Sequence, residues 1–547
     1  MPKNNAPFYS WVPRWLGVSV YVFMTVPAML ISGAYTNNAA EMAGSLGIIS
    51  EHIQYSTFVS AIGMVVFNPF VVSFLRIRRP KMVYMGGLSI LFALSYVCVH
   101  TTSIVLLMIC CFVMGFFRMM ILYNTLFGTL EYLAKREATA FLTPEENPTP
   151  EAITRQAGMR ATLLPPIYLF FMVLGQSGNF FTSIFASEHN WQDVYYLMMG
   201  ITLTGVLLTF VTMTYQKRNV SFRKLRLEKC WDLATASAAL LSFSYIFTYG
   251  KTLGWFDHPS IEAATAIFFL SLGLFILQQT NTEKPYLNLK LFARRSVLIG
   301  LSIYILGMAA SSSSLLVSVF ARVSFKLDAY QNAVLGNYAS IGFVIGAVTA
   351  FVMGRLGMHI KYIFSIGFLF ICVSAAYMFF HYQTMSAIDR LIFPTIMRSA
   401  GTLILYAMTG ILGMSRLTPS TITSWMFMML LCRSVLGPVV GVSAYANALE
   451  ERGRYYTMRL SQSVDPINAE SASTLARTRK GAMWQGKSFE EGTALASLAL
   501  KGRVMKQAML SALKEITGWL VLVTAFCTLF YGIIRYSKQE SAGAGLL

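Results

Sequence analysis

Ile104–Leu122 reads IVLLMICCFVMGFFRMMIL. Its first fourteen residues carry no charge, and the fifteenth, Arg118, is followed by more apolar residues. An α-helix rises 1.5 Å per residue, so about 20 such residues cross the ~30 Å hydrocarbon core of a bilayer. Similar runs recur on both sides of this one. They start near Arg14, Ile53 and Val83 before it, and near Leu163, Val194, Leu233, Ala263, Val297, Asn332, Tyr362, Leu391, Ile422 and Trp519 after it. The chain therefore reads as an all-α polytopic membrane protein with about fourteen transmembrane helices. Pro27, Pro69 and Gly115 fall inside these runs, as membrane helices tolerate.

The whole composition agrees. Of 547 residues, 55% are hydrophobic and 12% are charged. Soluble domains carry about 25% charged residues. The net charge of +19 would suggest nucleic acid in a soluble chain. In a membrane protein the same excess belongs to cytoplasmic loops, so no nucleic-acid partner is expected. The seven cysteines form no C-x-x-C pair and the six histidines are scattered. They read as structural residues, and neither a metal site nor a cofactor is expected. The first apolar run is long enough to span, with no small-residue cleavage site after it, so no cleavable signal is expected.

Basic residues cluster after even-numbered spans. Arg76, Arg78, Arg79 and Lys81 follow the second, Lys217 to Lys229 the sixth, and Lys284 to Arg295 the eighth. Those sides are expected to face the cytoplasm, with both termini there. Segment 134–160 is polar and reads as a cytoplasmic loop. Segment 447–513 is charged and rich in Ala, Lys and Glu, and reads as a partly helical extracytoplasmic stretch. It is expected either to lie on the outer leaflet or to serve as a docking arm.

Several short motifs occur in order along the chain. Trp231-Asp232 opens the seventh run, and Gly250-Lys251-Thr252-Leu253-Gly254-Trp255 closes it. Lys284-Pro285-Tyr286-Leu287-Asn288-Leu289-Lys290-Leu291-Phe292 leads into the ninth. Asn190-Trp191-Gln192-Asp193-Val194-Tyr195-Tyr196 opens the sixth, and Arg433-Ser434-Val435-Leu436-Gly437-Pro438-Val439-Val440-Gly441 lies in the thirteenth. The pattern resembles the fourteen-helix drug:proton antiporter branch of the major facilitator superfamily. The resemblance implies a major facilitator fold with two six-helix bundles, residues 1–230 and 284–547, and two central linking helices, 231–283. It also implies export of amphiphilic or drug-like molecules across the cytoplasmic (inner) membrane in exchange for protons. A periplasmic adaptor protein and an outer-membrane channel are implied as partners, besides small-molecule substrate, protons and membrane lipid. Ser73-Phe74-Leu75-Arg76-Ile77-Arg78-Arg79-Pro80-Lys81 keeps the charge of the branch's second loop and lacks its Asp and Gly. No Asp stands near Ser32-Gly33-Ala34, where the branch has one in its first helix.

A few polar residues stand where they cost free energy. Arg118 lies about 21 Å into its span and Arg433 about 18 Å. A guanidinium at such depth costs at least ~2.5 kcal/mol on insertion scales, so it faces either a cavity or a partner helix. Arg118 also matches the branch's fourth-helix arginine. Arg398 lies near the mouth of its span and is expected to snorkel. Glu41 and Glu131 are the carboxylates nearest the spans that could couple to protons, and both also fit solvated helix ends. Asn37, Asn38, Gln176 and Asn179 are candidates for lining a central cavity. Gly175, Gly178, Gly342, Gly346, Gly437, Pro438 and Gly441 permit close helix approach or a hinge. The loop of Arg76, Arg78, Arg79 and Lys81 is expected to gate the cytoplasmic side, pairing with helix C-termini or acids of the facing bundle.

A different class is an intramembrane serine protease, since Gly175-Gln176-Ser177-Gly178 reads G-x-S-G. It would need a histidine base near the serine, and the six histidines fall in loops or at span ends. A third reading is an importer, or an exporter of one dedicated metabolite, since specificity lives in pocket shape. No enzyme activity is expected.

Overall fold

The computed structural model describes residues 7–35, 39–71, 74, 79–134, 150–215, 228–282, 285–356, 358–383, 387–414, 419–462, 464 and 469–534. Its helices, in chain order, are α1 (Arg14–Leu30), α2 (Ala39–Leu46), α3 (Ser50–Phe67), α4 (Pro80–His100), α5 (Ile104–Ala134), α6 (Pro150–Glu188) and α7 (Asp193–Thr212). They continue as α8 (Glu228–Tyr249), α9 (Pro259–Asn281), α10 (Arg295–Ser311), α11 (Ser314–Phe325), α12 (Ala329–Asn337), α13 (Ala339–Arg355), α14 (Ile360–His381) and α15 (Ile392–Met414). The last are α16 (Pro419–Leu431), a π-helical turn (Cys432–Leu436), α17 (Gly437–Ser461), α18 (Ala469–Trp484) and α19 (Phe489–Ile533).

Twelve helices among the described residues are long and apolar enough to cross a bilayer. The first apolar helix, α1, is shorter at 17 residues. Helix α3, at 18 residues, opens on the polar Ser50, Glu51, His52 and Gln54 and is not among the twelve. All fourteen starting points read from the sequence fall in helical elements, and these are the two that fall short in length or apolar content. The protein is a multi-pass, all-helical membrane protein.

The packing repeats. Helix α5 packs on α1, α3 and α4, and α4 packs on α7. In the second half α15 packs on α10, α13 and α14, and α14 packs on α19. Arg14 to Arg295 is a displacement of 281 positions, and Pro80 to Ile360 one of 280, so matching helices recur at a nearly constant interval. The crossings also match. A Cβ on Gly63 or Gly115 would overlap the carbonyl oxygens of Phe112 and Ser60, where α3 meets α5. A Cβ on Gly342 or Gly346 would overlap those of Ile396 and Ala400, where α13 meets α15. Missing side chains let the backbones touch, the usual way membrane helices pack without a hydrophobic driving force. Helices α8 and α9 pack on each other between the two repeats, α8 against α3 and α17.

Two clusters mark the ends of the bundle. At one end the residue 7–12 segment pairs with the end of α7 through Tyr9 N to Thr212 O at 3.1 Å and Thr214 N to Pro7 O at 3.0 Å. Lys81, at the start of α4, is buried there at 1% exposure. Its Nζ donates to Phe210 O at 2.7 Å and sits over the rings of Tyr215, Phe210 and Tyr9. At the other end His52 Nδ1 meets Tyr249 Oη at 2.5 Å, and Lys251 pairs with Glu450 at 2.6 Å. That pair is a third exposed and contributes about 0–1 kcal/mol.

One sequence expectation needs correction. Segment 134–160 is not loop throughout, because α6 begins at Pro150, a residue suited to the first helical turn. Segment 447–513, expected to be partly helical, is helical over most of its described residues. Its ends are direct extensions of α17 and α19, and α18 packs back on α19. Helix α19 has 45 residues, about 67 Å, roughly twice the thickness a span requires. A capping box at Ser488 and Glu491 fixes its first turn. The hairpin is tied down by Arg452 to Glu515 at 3.6 Å, by Arg452 over Trp519, and by Lys506 Nζ donating to Ser324 O at 3.4 Å.

Candidate functional site

Three arginines lie inside the bundle, and each is held differently. Arg118 on α5 donates from Nε to Ala28 O at 2.9 Å, from Nη2 to Met29 O at 2.9 Å, and from Nη1 to Ser60 Oγ at 3.3 Å. Helix α1 stops at Leu30, so these carbonyls belong to its last turn and have no acceptor role left within the helix. A cation there also complements the negative end of the helix dipole. Arg398 on α15 donates from Nη1 to Ser311 O at 2.9 Å, the last residue of α10. Helices α1 and α10 both have 17 residues. The two halves thus place an arginine of the matching helix against the same helix end. Arg398 does not snorkel. It faces inward, because its partner carbonyl and the cavity described next lie inside the bundle.

Arg398 lines an open cavity of about 250 Å³ between α6 of the first half and α10 to α13 and α15 of the second. Gln176 and Asn179 reach it from α6, Ser311 from α10, Asn332 from α12, and Ser399 and Thr402 from α15. Among the described residues its lining contains no acidic residue.

A second station lies about 12 Å further along the same helices, the rise of the eight residues from Arg398 to Tyr406. Arg433 sits in the π-helical turn, its guanidinium 4.0 Å from the ring centre of Tyr406 and 5.9 Å from that of Tyr168. Tyr304 and Tyr123 are also within electrostatic reach. Tyr304 Oη donates to Tyr406 O at 3.0 Å, and the Tyr168 and Tyr406 rings meet edge to face at 5.0 Å. Gly410 leaves the room in which Tyr168 and Tyr304 approach. No carboxylate pairs with Arg433 among the described residues, and its Nε is buried without a hydrogen-bond partner. Cation–π contact with the rings of Tyr406 and Tyr168 therefore stands in place of a salt bridge. A π-turn at such a position fits the tendency of π-bulges to occur at functional sites.

The two stations share helix faces. Tyr168, Gln176 and Asn179 lie on one face of α6, Tyr304 and Ser311 on one face of α10, and Arg398, Thr402 and Tyr406 on one face of α15. The tyrosines and these stripes were missed by sequence reading.

The other expected residues fall elsewhere. Glu131 is buried near the end of α5. Glu41 is exposed on the short helix α2; partial burial, then the nearby Asp328 carboxylate, push its carboxyl above its ordinary value. Asp328 caps α12 by accepting from Gln331 N at 2.7 Å, and its carboxylate repels that of Glu41. Asn37, Asn38, Arg76 and Arg78 lie outside the described residues. Arg79 is exposed, and Lys81 binds a helix end of its own half, not the facing one. A Cβ on Gly178 would meet the flexible end of Leu30, and one on Gly175 would make ordinary contact with Met29. Gly437 and Gly441 press on Met308 and Ala309 of α10, with Pro438 in the first turn of α17. Among the described residues no group of three or more metal-ligating side chains occurs.

No family model and no curated protein matches the sequence. Solved structures do resemble it. Tetrameric PepTSo2 is 11% identical with a TM-score of 0.53, covering 95% of this chain and 97% of that one. A POT family transporter in complex with a thioalcohol-conjugated peptide is 14% identical with a TM-score of 0.51, covering 80% and 91%. A point mutant of the nucleoside transporter NupG is 12% identical with a TM-score of 0.49, covering 94% and 99%. At these identities the likeness is one of architecture, and the chain has the major facilitator fold.

Proposed function

We propose that the protein is a secondary active transporter, moving a small molecule by alternating access of its two halves around the path between Arg398 and Arg433. The observation that carries this reading is the polar cavity between α6 and the second half, with an arginine inside it and another along the same helix faces. Buried cations without carboxylate partners are costly, and in membrane proteins they mark substrate or ion pathways. The two repeated packing units, read as six-helix bundles joined by α8 and α9, supply the two bodies that rock. In this reading all fourteen helices span. The end that carries residues 7–12, Lys81 and Phe210 faces the cytoplasm, since the basic loops follow the even-numbered spans. The membrane would be the cytoplasmic (inner) membrane, with both termini inside.

The cavity's size and polarity favour one dedicated polar solute, imported or exported. At about 250 Å³ it is smaller than the roughly 300–1,000 Å³ pockets of drug-sized ligands. Export of amphiphilic molecules against protons is the second reading, and the aromatic chamber of Tyr123, Tyr168, Tyr304 and Tyr406 favours it. Glu131 and the Glu41–Asp328 pair are then the groups to carry the proton. Transport by the purified protein in liposomes decides between them. Arg433→Ala is expected to slow transport at least about tenfold without lowering the melting temperature, because the aromatic contacts it leaves need no charge. Full transport by this variant would remove Arg433 from the path. Collapse of the proton gradient should abolish accumulation of the solute, and unchanged accumulation would refute proton coupling.

The helical arm of α17, α18 and α19 is the place for an adaptor protein. It exposes the large apolar side chains of Trp484, Phe489, Leu498 and Met505. A photo-crosslinking residue at Trp484 is expected to capture a partner protein in cells. Absence of crosslinks there, with export intact after the arm is shortened, would reject docking.

A further inference from the structure

Among the described residues, the lining of the cavity around Arg398 contains one cation and no acid. Arg398 has five N–H donors, and one, Nη1, is taken by Ser311 O. Its Nε is buried with no hydrogen-bond partner among the described residues. The hydroxyls of Ser399 and Thr402 give their hydrogens to carbonyls four residues back in α15, through Thr395 O and Arg398 O at 2.8 Å each. The side-chain amides of Gln176 and Asn332 face the cavity and donate to nothing among the described residues. The charge of the guanidinium, with its unused N–H groups and the amide N–H groups of Gln176 and Asn332, therefore sets the character of the cavity, while the hydroxyl oxygens beside them can only accept.

We infer that this cavity binds a small polar solute through a single carboxylate, with Arg398 as its counter-ion and the amides of Gln176 and Asn332 completing its shell. The inference rests on the transporter reading and specifies its cargo. A carboxylate matches the planar guanidinium fork and satisfies two donors at once. One negative charge neutralises the one cation, whereas a dianion would leave an uncompensated charge in a site with no second cation. Arg398 reaches from the second half and Gln176 from the first, so a bound carboxylate bridges the halves across α15 and α6.

The test uses the full-length protein in detergent, with N-acetylglycine, benzoate and lactate set against N-acetylglycinamide, benzamide and lactamide. The acids are expected to raise the melting temperature and the amides to leave it unchanged. Arg398→Gln is expected to weaken acid binding at least about tenfold. Asn332→Ala, which leaves the bond of Arg398 to α10 intact, should weaken it several-fold and keeps the test open if Arg398→Gln does not fold. Equal binding of acids and amides, or undiminished acid binding by both variants, would overturn the inference. Liposome transport separates the two claims. Acid binding with no transport of any bound acid defeats the transporter reading alone, and transport of uncharged amphiphiles with no acid binding defeats the carboxylate site alone.

Discussion

Gly115→Ala is expected to lower the yield of folded protein sharply, although it adds one methyl group. A Cβ at this position would overlap the carbonyl oxygen of Ser60 and come within 3.1 Å of the Met64 nitrogen. Both obstacles are main chain, so no rotamer change clears them. Overpacking of a rigid contact costs about 1–3 kcal/mol, occasionally more, and native proteins have only about 5–15 kcal/mol in reserve. The matching substitution Gly346→Ala, which would strike the carbonyl of Ala400, should behave alike. Gly86→Ala is the control. Nothing lies within 4 Å of its added Cβ, and alanine is the better helix former by about 1 kcal/mol. Chromatography of detergent extracts should show a sharply lowered folded peak for Gly115→Ala and a normal peak for Gly86→Ala. Equal peaks would show that α3 and α5 are not in backbone contact.

Arg118→Met carries the second large effect. Methionine keeps much of the stem and removes every donor, leaving Ala28 O and Met29 O at the end of α1 without partners in a dry interior. A buried unsatisfied group costs about 1–3 kcal/mol, so the two together cost about 2–6 kcal/mol. Thermal unfolding should fall accordingly, and transport should be lost because the end of α1 no longer holds its place. Arg118→Lys should recover part of the stability, since an ammonium reaches one carbonyl but not two in the same plane. An Arg118→Met protein as stable as the original would mean that the helix end is capped by something else. If its stability fell while transport per folded molecule held, Arg118 would be an anchor with no place in the transport cycle.

The depth of Arg118 and Arg433 was legible because a charge inside a long apolar run stands out by position alone. Their partners were not. Arg118 binds main-chain oxygens, which leave no mark in a sequence. Arg433 binds the rings of Tyr406 and Tyr168, and each tyrosine alone reads as ordinary core or as lipid-facing aromatic. The faintest usable signal was the spacing Arg398, Thr402, Tyr406, which sets three polar groups on one side of a mostly apolar helix. Arg398 misled for the opposite reason. Counted from the mouth of its span it could snorkel, and only the stop of α10 at Ser311 shows why it turns inward. Gly342 and Gly346 were legible as contact points because they sit four apart. Gly63 and Gly115 carry the equivalent crossing from two different helices, and neither marks the other in the sequence. A lone glycine gives no hint of its neighbour.

Arg118 and Arg398 lean on oxygen atoms that every amino acid supplies. Replacing Ala28, Met29 or Ser311 changes a side chain and leaves the acceptor where it was. Genetic drift at those three codons is therefore silent for the bond, and all selection falls on the arginine codons themselves. Descendants of such a gene could exchange nearly every residue lining the path, and with it the cargo, while the same two pins kept the scaffold in shape.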